Sequence, residues 1–522
     1  MHRREFLWMS TASALSAQTP DWKAGNVVHL LPACSARRLL LKVSLREPAE
    51  QAPRLALGRN RPVQARRSDS KGFYWSFDID GLDPSRTYTL HLTSSRGAPL
   101  CDPWPVRMMP SAEERPKQLR VAIYTCAGGH EGLTDENGRG AFLPLAIRQR
   151  LFRRMLSFEP QAAIAIGDHV YWDQRSAIGR RGARDAQQVK LASDFRRDQP
   201  ILGTPNEDVL KRATAPQIAD LYGTLFRSTP MYFVQDDHDY FDNDEASDAL
   251  VTLPPDAFML RAARATRRLF YPEFLPEAGR PDGLAGSFEF EPNISYSECF
   301  GTFRYGLLAE MLIYDCRRHL TLSGPSAGFV PDTAEQWLAG RTAANDTRHL
   351  VHVPGVPFGW SAGKWGEWYA DVLDDQGKLT VKRVKPYWQA GWRAQHDRIL
   401  RMLASNRQRV PLVISGDLHS HALGRIRKSG DVDLREHPVN VSIAGPISTG
   451  PSGWPSAARN TLAQTAIGLD LETRIPVVEH NGFTIADFTE SEVTLRFFGW
   501  KLGTASDRID TLEPFHTERF AA

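Results

Sequence analysis

The stretch Ala-Ala-Ile-Ala-Ile-Gly-Asp-His-Val-Tyr, at residues 162–171, shows the pattern that sets the fold: a short apolar run ends in polar side chains. Three further runs end in the same way, at residues 121–125, 231–235 and 411–416. Apolar runs of five or six residues that alternate with helical stretches are typical of a layered α/β domain. One helical stretch is 256–270, where apolar side chains recur on one face. The chain after Lys117 is therefore predicted to have an α/β fold.

The residues at the ends of these four runs can all bind metals. They are Cys126, then Asp168 with His169 and Tyr171, then Asp236, Asp237, His238 and Asp239, and finally Asp417 with His419. Loops that leave the carboxyl ends of strands gather at one edge of an α/β domain, so we expect these groups to meet there. Each alone also fits a structural role, as a small buried thiol, a helix cap or a hydrogen-bonded histidine. Three carboxylates in Asp-Asp-His-Asp repel one another unless a cation neutralises them, so the set as a whole predicts a metal site.

Residues 27–110 have a different character. Short strand-like segments follow one another at 38–45, 72–78 and 86–92, separated by turn residues. No helical pattern interrupts them, so the sequence predicts a small all-β sandwich of the fibronectin or immunoglobulin type. The proline-rich stretch 103–116 is interpreted as the linker to a larger domain at 117–522.

Length and charge exclude several classes of protein. The chain has 522 residues, 42% of them hydrophobic and 24% charged, which is usual for globular proteins and excludes disorder, coiled coils and collagen. No window approaches the ~18 consecutive apolar residues of a transmembrane segment. The formal net charge of +3 gives no indication of nucleic-acid binding. Five scattered cysteines do not form a disulfide scaffold, although a pair among the four other than Cys126 could be oxidised outside the cytoplasm.

The first 17 residues resemble an export signal. Arg3 and Arg4 precede a modestly apolar stretch, and small residues follow near Ala17. An adjacent arginine pair before Phe-Leu is similar to a twin-arginine signal, which directs folded proteins to the Tat export machinery. The alternative is an ordinary N-terminal helix. The signal predicts a protein that is periplasmic or extracellular.

Three motifs, in this order, resemble those of a known family. Gly-Asp-His-Val-Tyr (167–171), Asp-Asp-His-Asp (236–239) and Ser-Gly-Asp-Leu-His (415–419) are similar to the motifs of the PhoD-like alkaline phosphatases, a branch of the calcineurin-like metallophosphoesterases. Tyr-Asp-Cys-Arg-Arg (314–318) resembles the family's Asp-x-Arg strand end, Glu-Gln-Trp-Leu (335–338) its Gln-x-x-Trp-Leu helix, and 388–392 its aromatic turn. The resemblance covers nearly the whole chain. It implies two packed mixed β-sheets flanked by helices, with a β-sandwich before them.

The resemblance also implies two metal positions. An Fe³⁺ position would be bound by Cys126, Asp168, Tyr171 and His419. A second divalent ion, Ca²⁺ or else Mn²⁺, Mg²⁺ or Zn²⁺, would be bound by Asp168 as a bridge, Asp237 and Asp417, with a further oxygen from Asp242 or Asn243. Thiolate, phenolate and imidazole suit a transition metal, whereas an all-oxygen set suits a hard cation. Phenolate on ferric iron absorbs visible light, so the loaded protein should be coloured.

The chain departs from the family pattern around the second position. Gln235 stands where the family has Trp, Asp239 where it has Glu, and Asp242-Asn243-Asp244 replaces an Asn pair. These departures bear on the second metal and on substrate preference more than on the iron position.

Several side chains keep two interpretations. Arg317 either binds phosphate or forms a salt bridge with Asp315. His130 and His421 are each either a support of the site or a plain loop residue. The basic face of the 256–270 helix is either solvated or in contact with substrate; it consists of Arg261, Arg264, Arg267 and Arg268. An insertion after Tyr171 either forms a cationic lid or is passive; its arginines are Arg175, Arg180, Arg181 and Arg184. The tryptophans Trp360, Trp365, Trp368 and Trp388 either form a wall for a large leaving group or pack inside the protein.

The predicted activity is hydrolysis of phosphate esters by a metal-activated hydroxide, with His238 as the general acid. The substrate could be a small phosphomonoester, or a diester in a lipid or a teichoic-acid-like polymer. We expect a monomer. The alternative from another class is a secreted binding protein whose sandwich recognises a polymer and whose larger domain is an inactive relative. The retained ligand residue types argue against that alternative.

Overall fold

The computed structural model describes residues 22–58, 62–134, 137–172, 195–240, 252–286, 295–322, 324–362, 390–458 and 460–522. Several predicted features lie outside these residues and stay predictions. They are the signal at 1–17, the arginines of the insertion after Tyr171, the candidate ligands Asp242 and Asn243, and Trp365, Trp368 and Trp388.

The N-terminal region is all-β, as predicted. Its strands are β1 (Val27–Cys34), β2 (Leu39–Leu45), β3 (Arg54–Leu57), β4 (Val63–Gln64), β5 (Arg66–Arg67), β6 (Tyr74–Ile79), β7 (Thr87–Thr93) and β8 (Trp104–Arg107). They form two four-stranded antiparallel sheets in the orders β1-β2-β6-β5 and β4-β3-β7-β8. Inward and outward side chains alternate along β7, where Tyr88, Leu90 and Leu92 are buried. This period of two is what a strand with one solvated face requires.

The start of the predicted linker is in fact the strand β8. It pairs with β7 at the edge of its sheet, with Pro105 opposite Thr89. Proline cannot donate to a ladder, so an edge strand is where a sheet accepts it. The indole of Trp104 fills the sandwich core and is 1% exposed. The linker prediction was therefore wrong for residues 104–107.

The rest of the chain is a mixed α/β structure. Its strands are β9 (Gln118–Thr125), β10 (Ala162–Ile166), β11 (Met231–Val234), β12 (Phe300–Tyr305), β13 (Ala309–Tyr314), β14 (His349–Pro354), β15 (Trp360–Ser361), β16 (Leu412–Ser415), β17 (His421–Ser429), β18 (Val432–Asp433), β19 (Val439–Ile443), β20 (Gln464–Thr465), β21 (Leu469–Val478), β22 (Asn481–Thr489), β23 (Glu492–Trp500) and β24 (His516–Ala521). Its helices are α1 (Leu145–Leu156), α2 (Pro205–Thr214), α3 (Ala219–Tyr222), α4 (Ala257–Phe270), α5 (Asp332–Ala343), α6 (Ala390–Ser405) and α7 (Pro455–Ala458). The four apolar runs of the metal motifs are β9, β10, β11 and β16.

Two mixed sheets dominate this region. One has the order β11-β10-β9-β22-β23-β24, and the other has the order β12-β13-β14-β16-β19-β17-β18 with β21 beside β17. Parallel pairing joins β9, β10 and β11, and also β13, β14, β16 and β19. The strands β22 and β23 extend the first sheet with antiparallel pairs.

Alternation along the strands builds four layers. On β9, Val121 and Ile123 belong to a core between the two sheets, whereas Ala122 and Tyr124 face a second core with helices α1 to α4. On β13, Met311 joins the core between the sheets, and Leu312 faces a third core that includes α5 and α6. Both faces of each sheet are thus covered, which confirms the α/β prediction of two packed sheets flanked by helices.

Helix α4 lies where the apolar periodicity predicted it, and Asp256 caps it by accepting from the backbone N–H groups of Phe258 and Met259. Its basic face is not uniformly solvated. Arg267 is fully buried and donates to the carbonyl oxygen of Phe233 at 2.6 Å. Nε of Arg264 lies 3.4 Å from Oε2 of Glu298. Both interpretations of Arg267, as a solvated group and as a substrate contact, are therefore wrong, because its guanidinium donates to a backbone carbonyl at the end of β11.

A buried ion cluster joins the N-terminal sheets to helix α2. The ammonium group of Lys211 lies 2.6 Å from Asp69 and 2.6 Å from Glu207. The backbone N–H and hydroxyl of Ser70 also donate to Glu207. The main core runs through both regions as well, since Leu41 and Phe77 belong to the same apolar cluster as the strands of the two large sheets. The sandwich is thus packed into the α/β region rather than tethered beside it.

Lys211→Met is expected to lower the free energy of unfolding by about 2–3 kcal/mol, because it removes charged hydrogen bonds from two buried carboxylates. The denaturant midpoint measures the change. Lys71→Met is the matched control, because Lys71 pairs with Asp208 across the same boundary but both side chains are about half exposed. Equal midpoints for the two variants would contradict a structural role for the buried cluster.

All five cysteines are buried free thiols. Within the described part of the chain, no helix has the length and apolar character needed to cross a membrane.

Candidate metal centre

The ends of β9, β10, β11 and β16 converge, so both large sheets contribute to one cluster of ligand atoms. Three overlapping groups form there, each with its ligand atoms within 4.8 Å of one another. They are Cys126 with Asp168 and His419, Asp168 with Asp237 and His238, and Asp236 with Asp237 and Asp417. All are buried except His419, which is partly exposed. Asp168 and Asp237 each belong to two groups, so the arrangement suits two neighbouring cations.

Four of these residues adopt left-handed backbone conformations. The φ angles are 49° at Cys126, 56° at Asp168, 72° at Asp417 and 46° at His419. Residues other than glycine rarely occupy this region, because the Cβ atom crowds the backbone. Such strain persists only where the surrounding structure imposes it, and it concentrates at functional sites. The strand ends are therefore bent sharply enough to turn their side chains towards one point.

The first group contains the sulfur, phenol and imidazole donors. The hydroxyl of Tyr171 donates to Asp168 Oδ2 at 2.8 Å and lies 3.0 Å from Nε2 of His419. Nε2 of His419 is 3.7 Å from Asp168 Oδ2. The thiol of Cys126 is fully buried and lies 3.1 Å from the hydroxyl of Thr125. Four residues assigned to the iron position thus lie together, and their role as ligands stays a prediction.

The second and third groups hold the carboxylates. Asp237 Oδ1 accepts the backbone N–H of His238 at 3.0 Å. The His238 ring packs against that of Tyr171, with centroids 4.3 Å apart, and 7% of the residue is exposed. The backbone N–H of Asp417 donates to Thr125 Oγ1 at 3.2 Å. The candidate proton donor therefore lies at the rim of the carboxylate cluster.

Asp236, which the sequence analysis named as a possible ligand but assigned to neither metal position, is part of the cluster. It is fully buried, and within the described part of the chain its Oδ2 atom has no hydrogen-bond partner. Burial raises the pKa of this carboxyl well above its usual value, and the positive charge of Arg317 opposes that rise. The available signal was the crowding of carboxylates in Asp-Asp-His-Asp, which applied to Asp236 as much as to Asp237.

Arg317 forms ion pairs with Asp236 and Asp417 and not with Asp315, the partner considered in the sequence analysis. Its Nε lies 2.5 Å from Asp236 Oδ1, and its terminal nitrogen lies 3.3 Å from Asp417 Oδ2. Asp315 instead accepts the backbone N–H of Arg317 at 2.7 Å, which shapes the turn after β13. The side chain is 2% exposed. The guanidinium is thus an internal counter-charge of the cluster, and the Asp315 salt bridge was the wrong pairing.

Asp239, which stands where the family has the longer glutamate, joins two of the strand-end loops. Its Oδ1 accepts the backbone N–H groups of His169 at 2.8 Å and Val170 at 3.0 Å, and its Oδ2 accepts that of Asp236 at 3.0 Å. Both oxygens of Asp239 accept backbone donors, so this carboxylate holds the loops together, and Asp239 belongs to none of the three ligand groups. Gln235, another of the three departures, donates to the hydroxyl of Tyr271 at 3.2 Å.

The buried groups fit a bound cation better than an empty protein interior. Burial raises the pKa of the Cys126 thiol and the Tyr171 phenol well above their usual values, and the nearby charge of Asp168 adds to both shifts. A cation reverses this effect, because it stabilises thiolate, phenolate and carboxylate alike. The unsatisfied Asp236 oxygen and the left-handed strand ends point to the same conclusion. The donor set therefore fits one transition metal and one hard divalent ion.

The remaining histidine and tryptophan candidates have structural contacts. His130 binds the carbonyl oxygen of Ala213 at 2.9 Å, as a loop residue would. His421 is fully buried, and burial lowers its pKa to about 3. Trp360 lies in β15 and is buried. The predicted Gln-x-x-Trp-Leu helix is α5, and Trp392 lies in α6.

Several supports of the site carried no recognisable sequence signal. Gln217 accepts the backbone N–H groups of Gly129 at 2.7 Å and Tyr171 at 2.8 Å through one oxygen. Arg148 is buried and donates to the carbonyl oxygens of Ala127, Gly128 and Gly129. These contacts hold the loop that follows Cys126. They join segments far apart in the chain, which no local pattern reveals.

Comparisons with known proteins agree with this geometry. A family model described as PhoD-like phosphatase matches residues 146–497. The solved structure titled "Structure of PhoD" is similar over 95% of this chain and 91% of that chain, with a TM-score of 0.62 and 14% identity. A purple acid phosphatase, PPD1 from yellow lupin (Lupinus luteus) seeds, covers 95% of this chain and 74% of that chain, with a TM-score of 0.52 and 12% identity. No curated protein matches the chain in sequence. These structural neighbours show that the chain shares the fold of PhoD and of this purple acid phosphatase.

Proposed function

The chain belongs to the PhoD-like phosphatase family and is a metal-dependent phosphoesterase, and within that activity we propose that it hydrolyses phosphate esters at a pair of unlike cations. Fe³⁺ is assigned to Cys126, Asp168, Tyr171 and His419. The divalent position, for Ca²⁺ or else Mn²⁺, Mg²⁺ or Zn²⁺, is assigned to Asp168, Asp237 and Asp417, with Asp242 or Asn243 as a further ligand.

One observation carries the proposal. Thiol, imidazole and carboxylate groups from two sheets form overlapping groups of three, in each of which the ligand atoms lie within 4.8 Å of one another. The hydroxyl of Tyr171 lies 2.8 Å from Asp168 Oδ2 and 3.0 Å from Nε2 of His419. Asp168 takes part in both assigned positions and so can bridge them. Four residues with left-handed backbone lie at the ends of three strands around this cluster, and such strain concentrates at functional sites.

A pair of cations held by these residues would neutralise charge on the phosphoryl oxygens and lower the pKa of water towards about 7, so that hydroxide forms with loss of a proton to solvent. Hydroxide then adds to phosphorus as the bond from phosphorus to the leaving oxygen breaks. His238 gives a proton to that oxygen, so that an alcohol departs rather than an alkoxide. Its place at the rim, 7% exposed against Tyr171, supports this role. Arg317 lies in ion pairs with Asp236 and Asp417, which favours a role in holding these carboxylates over direct phosphate binding.

The test loads the metal-free protein with iron and calcium and compares hydrolysis of matched aryl phosphate monoesters and diesters. We expect hydrolysis that depends on added metal and stops with chelator. The ratio of the two rates decides between phosphatase and phosphodiesterase action. Bound metal without hydrolysis of either ester would contradict the proposal and favour the inactive binding protein.

The organisation of the chain is also a proposal. We assign residues 1–17 to a twin-arginine signal that directs export to the periplasm or beyond, 27–110 to the sandwich, and 117–522 to the catalytic domain of a monomer. The N-terminal sequence of the mature protein tests the signal, and the mass in solution tests the oligomeric state. A mature protein that still begins at Met1 would contradict the removal of residues 1–17 as an export signal.

A further inference from the structure

The Tyr171 ring is held between two other rings. Its centroid lies 4.7 Å from that of Phe142 and 4.3 Å from that of His238. Phe142, Tyr171, Leu133 and Ala141 form a small buried apolar cluster separate from the main cores. Gly129 makes room for Phe142, since a Cβ atom there would lie 2.1 Å from the Phe142 ring. The plane of the phenol is therefore fixed by packing and not only by its hydroxyl.

The His419 ring is held from its far side. Its Nδ1 lies 2.9 Å from the hydroxyl of Thr449, while Nε2 faces Tyr171 and Asp168. Thr449 is fixed in turn by Asn481, whose Oδ1 accepts the Thr449 N–H at 2.8 Å and whose amide donates to the Thr449 carbonyl at 2.8 Å. Both residues are fully buried. A histidine that donates from Nδ1 presents the lone pair of Nε2 to a metal.

The two supports belong to one piece of backbone. Phe142 and Thr449 pair as an isolated antiparallel β-bridge. The neighbouring Ser448 donates to the carbonyl oxygen of Cys126 from its N–H at 3.1 Å and from its hydroxyl at 2.7 Å. The segment 448–449 with Phe142 therefore touches three of the four residues assigned to the iron position.

We propose that Phe142 and Thr449 are positioning residues of the transition-metal position: Phe142 sets the plane of Tyr171, and Thr449 sets the tautomer and orientation of His419. Neither binds the metal. The inference rests on the proposed function, because it assigns a purpose to contacts around the iron ligands. It predicts that metal affinity and the colour of the loaded protein depend on two residues outside the ligand set.

The first test is Thr449→Val, which keeps the shape and removes the hydroxyl. We expect Fe³⁺ to bind about 10–100-fold more weakly, the usual effect of losing a partner of a ligating histidine. Thr449→Ser should bind as the wild type does. The matched control is Thr484→Val, because Thr484 is fully buried and its hydroxyl has no hydrogen-bond partner among the described residues. Circular dichroism of each metal-free variant checks the fold.

The second test is Phe142→Leu, read in the visible spectrum of the iron-loaded protein. We expect the band from phenolate to iron to shift or broaden, because the Tyr171 ring loses one of its two flanking rings. An unchanged band would remove Phe142 from the proposal. For Thr449, affinity equal to that of Thr484→Val, or an equal loss in Thr449→Ser, would overturn the assignment. If the wild type itself binds no iron, the proposed function fails instead.

Discussion

Replacing His238 with alanine is expected to lower kcat about 10²–10⁴-fold while the content of both metals stays unchanged. The effect should depend on the leaving group. A nitrophenolate departs without a proton, so its ester should lose little rate, whereas an alkyl phosphate needs the proton and should lose the full amount. Hydrolysis rates for the two esters, with metal analysis of the same samples, measure the effect.

A ring nitrogen of His238 lies within 4.8 Å of carboxylate oxygens of Asp168 and Asp237. A role as a metal ligand must therefore be separated from the role as a proton donor. Loss of metal in His238→Ala would assign it to the ligands. Equal losses for both leaving groups, with metal retained, would contradict proton donation. His437→Ala is the control, because His437 binds the carbonyl of Ala404 at 2.9 Å and precedes β19, at the opposite edge of the sheet from the strand ends that carry the site.

The sequence predicted the strands of the site because their signal is local. The runs that became β10 and β11 are apolar from end to end, and the parallel pairing of these strands puts the residues after them at one edge of the sheet. Helix α4 was likewise predictable from the regular spacing of its apolar side chains and from Asp256 at its start. In each of these cases one short segment holds all of the information.

What the sequence did not predict depends on contacts between distant segments. Arg317 reaches Asp236, 81 residues away, and the same residue type could as well have paired with its neighbour Asp315. Thr449 reaches His419 across 30 residues and Asn481 across 32. The left-handed backbone at Cys126 is likewise imposed by surrounding structure, since cysteine does not favour it. The fold and the residues that meet at the strand ends were therefore predictable, whereas the contacts that hold those residues in place were not.

Cys126→Ser is expected to weaken Fe³⁺ binding by more than about 100-fold, beyond the range for losing an outer partner of a ligand. Serine has nearly the same shape, so the strained backbone at φ 49° meets no new obstacle. The chemistry changes instead. A buried thiol can still give a thiolate to a metal at neutral pH, whereas a hydroxyl holds its proton far more strongly. The visible band and the bound iron should be lost together.

Calcium binding should survive in the same variant, because the divalent position is assigned to oxygen ligands alone. Iron and calcium contents measured side by side therefore test the division of ligands between two unlike ions. Cys34→Ser is the matched control, since Cys34 is also a buried free thiol and lies in the sandwich. Full iron content in Cys126→Ser would remove the thiol from the ligand set, and loss of both metals would mean that the two positions do not bind independently. Retained calcium with lost iron is the result that only a sulfur-containing site beside an all-oxygen site can give.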